Sequence, residues 1–163
     1  MQGGILVYGL LAGLAIALLV AAFTDIRSRT ISNWLNLAIA AGAPLFWFAS
    51  GLSLWPGVAM QLGVALACFA VCAVLFALRQ MGGGDVKLLT ALALWIHPLM
   101  FVQLVVVMAI AGGLLTIGMW GWNKYRRAGR VKAVPYGIAI SLAGLWVLAD
   151  HYLPVAGHNA ILG

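Results

Sequence analysis

The sequence predicts an all-α polytopic membrane protein of six transmembrane helices with both termini outward, and three observations predict it. The 163-residue chain is 65% hydrophobic and only 7% charged, whereas a soluble domain carries roughly 25% charged residues. Its apolar runs are continuous and rich in Leu, Ala and Gly, and several approach the ~20 residues that cross a bilayer as a helix. A membrane β-barrel would instead alternate apolar and polar residues over short segments. Finally, all 9 Lys and Arg residues fall in or beside alternate predicted loops, the asymmetry that marks the cytoplasmic side.

The elements follow from the apolar runs and their breakers. The first span covers about Ile5–Phe23, and with no basic residue before it, it reads as a retained helix rather than a signal peptide. The second covers about Trp34–Ser50. A turn at Gly51, Pro56 and Gly57 separates it from the third, about Val58–Leu78. His97-Pro98 divides the next long stretch into a fourth span, about Asp85–Ile96, and a fifth, about Leu99–Trp122. The sixth covers about Pro135–Leu153. The fourth is short, ~18 Å at ~1.5 Å per residue, against a ~30 Å hydrocarbon core. The whole chain, residues 1–163, reads as one transmembrane domain.

Charge fixes the orientation. Arg27 and Arg29 lie in the first loop, Arg79 and Lys87 flank the third, and Lys124, Arg126, Arg127, Arg130 and Lys132 fill the fifth. Those loops are assigned to the cytoplasm. The net charge of +6 then belongs beside anionic lipid, and nucleic acid is not an expected partner. Cys68 and Cys72 sit one turn apart inside an apolar run as packing residues. No CxxC pair or Cys/His cluster suggests a metal. His97, His151 and His158 fall on the outward side.

Of the three acidic residues, Asp25 and Asp85 sit at cytoplasm-side membrane junctions, and the third is Asp150 beside His151. Ionisable groups at membrane depth are costly and point to function. Asp25 opens the stretch Asp25-Ile26-Arg27-Ser28-Arg29-Thr30-Ile31-Ser32-Asn33, and Asp85 closes Gly82-Gly83-Gly84-Asp85 before the short helix. Singly, each has a plain structural account: Asp25 paired with Arg27 or Arg29, and Asp85 as a helix N-terminal residue paired with Lys87. Together they are the minimum for hydrolysing a peptide bond without a metal. One carboxylate takes a proton from water while the other, protonated, hydrogen-bonds the carbonyl oxygen. Two like charges cannot both ionise cheaply at short range, so close approach makes the pair share a proton. The glycines before Asp85 permit close backbone approach and unusual turns.

Gly82-x-Gly84-Asp85 resembles the GxGD motif of intramembrane aspartic peptidases. With Asp25-Ile26-Arg27 and Ile31-Ser32-Asn33 it resembles the type IV prepilin peptidase family, in particular the short branch serving tight-adherence (Flp-type) pili. Val134-Pro135-Tyr136-Gly137-Ile138-Ala139 is similar to the Pro-aromatic-Gly element that opens the family's last helix. The resemblance spans about residues 20–140. It implies Asp25 and Asp85 as the catalytic pair, supported by Gly82, Gly84, Arg27, Lys87 and Asn33, with no cofactor and no metal. It also implies cleavage after a glycine at the end of a short basic leader, at the cytoplasmic face of a bacterial inner membrane. The expected partners are a prepilin or pseudopilin substrate, membrane lipids and pilus-assembly machinery. Ser32 stands where many relatives have proline. The cysteine-rich region of the long, N-methylating members is absent, so peptidase activity is expected and methyl transfer is left open.

The supporting residues carry second readings. Arg27 and Lys87 can anchor helices at lipid headgroups, and Asn33, just before Trp34, is expected to cap the second helix. Gly112-Gly113, Gly118 and Gly121 suit close helix packing. Two other functions fit the same composition: a small proton-coupled transporter relaying protons through an aspartate pair, and a non-catalytic assembly factor. Transporters place such groups near the midplane, whereas both acids here are predicted at one face.

Overall fold

Along the first helix the buried positions are Leu11, Leu14, Leu18 and Ala21, spaced three and four apart as one face of an α-helix requires. The next position on that stripe is Asp25. In the computed structural model, which describes residues 2–125 and 136–152, helix α1 runs Gln2–Ser28. α2 covers Asn33–Ala49. A wide turn at Leu54–Val58 leads into α3, Ala59–Ala77. α4 is Gly83–Ala93, α5 Pro98–Tyr125 and α6 Tyr136–Tyr152. Among the described residues there is no strand. Three helices, Gly4–Ser28, Leu54–Ala77 and Pro98–Gly118, are long and apolar enough to cross a membrane. Of the sequence motifs, residues 126–135 and 153–163 lie outside the described part, taking with them most of the basic run, Val134, Pro135 and His158.

Of the helix limits that differ from the sequence reading, two bear on the site and its frame. The first helix does not stop at Phe23. The hydroxyls of Thr24 and Ser28 donate to the carbonyls of Val20 and Thr24 one turn back, at 3.0 and 2.8 Å, so these polar residues prolong the helix instead of breaking it. It ends at Arg29, whose φ of 54° turns the chain out of the helix. Asp25 is therefore a helical residue and not a loop residue. At the other limit, α4 stops at Ala93, and Leu94 to Ile96 form a turn.

The short α4 is the centre of the bundle. It packs against α2, α3 and α6 and buries Val86, Leu88, Leu89, Ala91, Leu92 and Ala93. α6 packs on both α1 and α5. Three helices converge on Gly144 of α6: a Cβ there would meet Leu18 Cδ1 at 3.0 Å, Leu92 Cδ1 at 3.6 Å and Leu104 Cδ1 at 3.9 Å. The absent side chain lets α1, α4 and α5 meet on one helix surface.

The far end of α4 is tied down by hydrogen bonds to groups that lipid could not satisfy. The indole N–H of Trp95 donates to the Ile39 carbonyl at 2.7 Å, and that of Trp47 donates to the Leu94 carbonyl at 2.7 Å. The Gln61 amide reaches the same Leu94 carbonyl at 3.4 Å. Trp95 stacks on Phe46 with centroids 5.1 Å apart. Its ring fills the space beside Gly42, where a Cβ would lie 2.7 Å from Cζ2. A ring held by stacking and by a hydrogen bond cannot step aside. Gly42→Val should therefore lower the thermal stability of the detergent-solubilised protein by about 1–3 kcal/mol, the usual cost of overpacking. Gly63→Ala on α3, with nothing within 4 Å, should leave the melting temperature unchanged or raise it.

Candidate functional site

The helical period that buries Leu18 and Ala21 also turns Asp25 inward, and the residue is 5% exposed. Its carboxyl lies against the start of α6. A Cβ on Gly137 would be 2.7 Å from Asp25 Oδ2 and 2.8 Å from Cγ, so only glycine leaves room for the carboxyl. The backbone N–H groups of Gly137 and Ile138 face it and the Arg29 cation is within electrostatic range. Even so, Oδ2 closes no hydrogen bond among the described residues. A buried carboxyl oxygen without a partner is costly, and such atoms are rare enough to call for a functional account.

Asp85 occupies the first turn of α4, with Gly82 as its N-cap. Three residues past the cap, its carboxyl folds back and faces the Gly82 amide, the reciprocal half of a capping box. A Cβ on Gly82 would lie 2.8 Å from Asp85 Oδ2. Asp85 is half-buried, less enclosed than the 5% exposed Asp25.

Ile31 joins the two motifs. The chain leaves α1 at Arg29 and carries the buried Ile31 between α4 and α6. A Cβ on Gly84 would meet Ile31 Cβ at 3.3 Å, and one on Gly137 would meet Ile31 Cδ1 at 2.9 Å. One side chain thus touches Gly84, next to Asp85, and Gly137, against which Asp25 rests. The two carboxyls lie within electrostatic range of each other.

The glycine motif permits close approach, as the sequence suggests, but without an unusual turn. None of Gly82, Gly83 and Gly84 has positive φ. The atoms that approach Gly84 and Gly82 most closely are this chain's own Ile31 and Asp85. The motif is a packing device that lets the first loop and the Asp85 carboxyl close on the start of α4.

Asn33 is also reassigned. The N-cap of α2 is Ser32, with no side-chain cap bond, and Asn33 Oδ1 instead accepts a hydrogen bond from Lys87 Nζ at 2.8 Å. The loop before α2 is thereby tied to α4, and Lys87 is engaged with Asn33. Arg27 is exposed in the last turn of α1. His97 and His151 share a separate cavity with Trp95 at the opposite end of α4. No cluster of three or more His, Cys, Asp or Glu residues that could hold a metal occurs among the described residues.

Ile31 and Gly137 enter the sequence reading only as members of motifs, with no place in the site, and Asn36 does not enter it at all. Asn36 is 4% exposed, and its amide Nδ2 donates to the Gly84 carbonyl at 3.4 Å, while its Oδ1 has no partner. The usable signal was a lone amide inside the apolar run of α2.

Fold and site together define a helical membrane protein with two carboxyls gathered at one end of a central short helix. The sequence model of the type IV leader peptidase family matches residues 12–117, a stretch that holds both aspartates, most of α1 and α5, and all of α2 to α4. The chain belongs to that family, and so to the membrane-embedded proteases. No curated protein and no solved structure matches it.

Gly137 lies beyond the matched stretch, and the cradle it forms yields a test. Gly137→Ala should cut leader cleavage about 100-fold, since a displacement of about 1 Å can cost that much. Gly113→Ala, with nothing within 4 Å, should cleave at the parental rate.

Proposed function

We propose that the chain is an intramembrane aspartic endopeptidase that removes the leader of prepilin-like single-span substrates, with Asp25 and Asp85 as its catalytic pair. The observation that carries this reading is the approach of the two carboxyls across Ile31, one buried against Gly137 and the other half-open in the first turn of α4. Membership of the leader peptidase family supports it.

One carboxylate accepts a proton from water as the water oxygen attacks the scissile carbonyl carbon. The other carboxyl, protonated, donates a hydrogen bond to the carbonyl oxygen as charge builds there. Collapse of the tetrahedral species breaks the C–N bond, and the proton taken from water passes to the leaving amine. The pair then holds one shared proton again. Lys87, held by Asn33, and the exposed Arg27 keep the neighbouring helix ends at the headgroup level. Gly82 and Gly84 allow the carboxyl and the Ile31 loop to close. The chemistry needs no cofactor.

The topology that goes with this activity has six spans, both termini outward and the two aspartates at the cytoplasmic face of a bacterial inner membrane. The distribution of Lys and Arg supports it. α2 and α6, at 17 residues each, are about 25 Å long, close to the hydrocarbon thickness. The substrates are precursors of pilins or pseudopilins, of the tight-adherence type by motif resemblance, with pilus-assembly machinery as a further partner.

Two outcomes follow. Asp25→Asn and Asp85→Asn, each purified and still folded, should lose roughly 10²–10⁴-fold in cleavage of a prepilin in detergent or liposomes. Robust cleavage by either one sinks the acid-pair mechanism. A carboxyl-terminal tag should be reached by a membrane-impermeant protease only from the outer side, and labelling from the cytoplasm would overturn the topology.

A further inference from the structure

Beside the candidate site, α2 and α4 enclose a cavity of about 420 Å³. Its inner part is apolar, with Leu37 and Ala40 of α2 across from Ala91 of α4 and Leu94 in the turn after it, and Phe69 of α3 alongside. Its other end is polar, and the groups there are Asn33, Asn36 and Lys87. Two of these already have partners, since Lys87 donates to Asn33. Asn36 does not: its Nδ2 holds the Gly84 carbonyl, while its buried Oδ1 accepts nothing. An apolar groove thus ends at a side chain that holds Gly84, the residue before Asp85, and whose buried oxygen is an unused acceptor.

The chemistry of the occupant follows from that acceptor. An acyl chain of lipid would fill the apolar part and leave Oδ1 unsatisfied. A helix whose amino end lies beside Asn36 brings what is missing, because its first four N–H groups have no partner within the helix. In a bilayer those groups must find acceptors. A cavity of this volume takes side chains from one face of a helix and not a whole helix, so the fit is that of a helix docked sideways from the lipid.

We propose that the α2–α4 groove seats the apolar helix of the substrate, and that Asn36 Oδ1 accepts a hydrogen bond from one of the unsatisfied N–H groups at that helix's amino end. The inference rests on the peptidase reading and adds the docking face and a positioning residue. The substrate class is a single-span peptide whose scissile bond immediately precedes its apolar helix. Held by its first turn at Asn36, it is stopped in register with the extended segment ahead of it crossing the start of α4 toward Asp85. Through Nδ2 the same side chain holds Gly84, so one amide couples the docked helix to the loop that carries the carboxyl.

The test uses the full-length protein in liposomes and a synthetic single-span prepilin peptide with a basic leader. Asn36→Leu should raise KM about tenfold with kcat changed less than about threefold, the effect of losing roughly one hydrogen bond to bound substrate. Asn36→Thr, which keeps an acceptor oxygen, should recover most of the loss. A fall in kcat at unchanged KM would mean that Asn36 only supports Gly84, and it overturns the proposal. Independently of how these variants fold, a benzoylphenylalanine photocrosslinker at Leu37, in an Asp85→Asn background, should attach to the peptide's apolar segment. The same crosslinker at Leu114 on the exposed face of α5 should not. Attachment at Leu37 to lipid alone, or equal attachment at the two sites, overturns the groove and leaves the peptidase reading standing. Failure of the parental protein to cleave the peptide overturns both.

Discussion

A carboxyl buried at the end of a membrane-length helix is the constraint around which this molecule is organised. Asp25 is there because the period that buries Leu11, Leu14, Leu18 and Ala21 carries it inward. The structure gives it only partial compensation: N–H groups at the start of α6 face it, but one oxygen goes without a partner. Removing a charge from water is tolerable only with such help, and a second carboxyl nearby makes full ionisation of both costlier still. The neighbourhood accommodates this arrangement instead of relieving it. Gly137 yields the space for the carboxyl, Gly84 admits Ile31, and Gly82 leaves room for Asp85 to fold back.

Such a site needs a firm frame, and the frame is the short helix α4. At its far end Trp95, Trp47 and Gln61 fix the turn after Ala93 by hydrogen bonds to and from backbone. Along its length the leucines lock it to α6 and α1 around Gly144. At its near end Asn36 and Asn33 reach it from α2. At 11 residues, about 16 Å, α4 is the shortest of α1 to α6, and it carries Asp85 in its first turn.

Much of this was legible in the amino-acid order, and the limits of that reading have physical causes. The helices announce themselves because apolar runs and their Gly/Pro punctuation are local signals. The two aspartates stand out because a chain with three acidic residues has little else to do chemistry with. The end of α1 was misplaced because Thr24 and Ser28 look like loop residues until their hydroxyls are seen to bond back along the helix. Asn33 looked like a cap because it precedes an apolar run, and its partner Lys87 comes from another helix. The roles of Ile31 and Gly137 could not be read from sequence, since each exists only where three separated segments meet.

The central claim is that Asp25 and Asp85 act as one acid–base unit. The scarcity of acids makes it directly measurable, because the side-chain carboxyls are only Asp25, Asp85 and Asp150. Infrared titration of the carboxyl stretch in isotope-labelled protein, with Asp150 replaced by asparagine, would isolate the pair. Coupled groups titrate in steps that belong to the pair, so Asp25→Asn should move the titration of Asp85, and Asp85→Asn that of Asp25. Two carboxyls that titrate independently, each unmoved by removal of the other, would contradict the account.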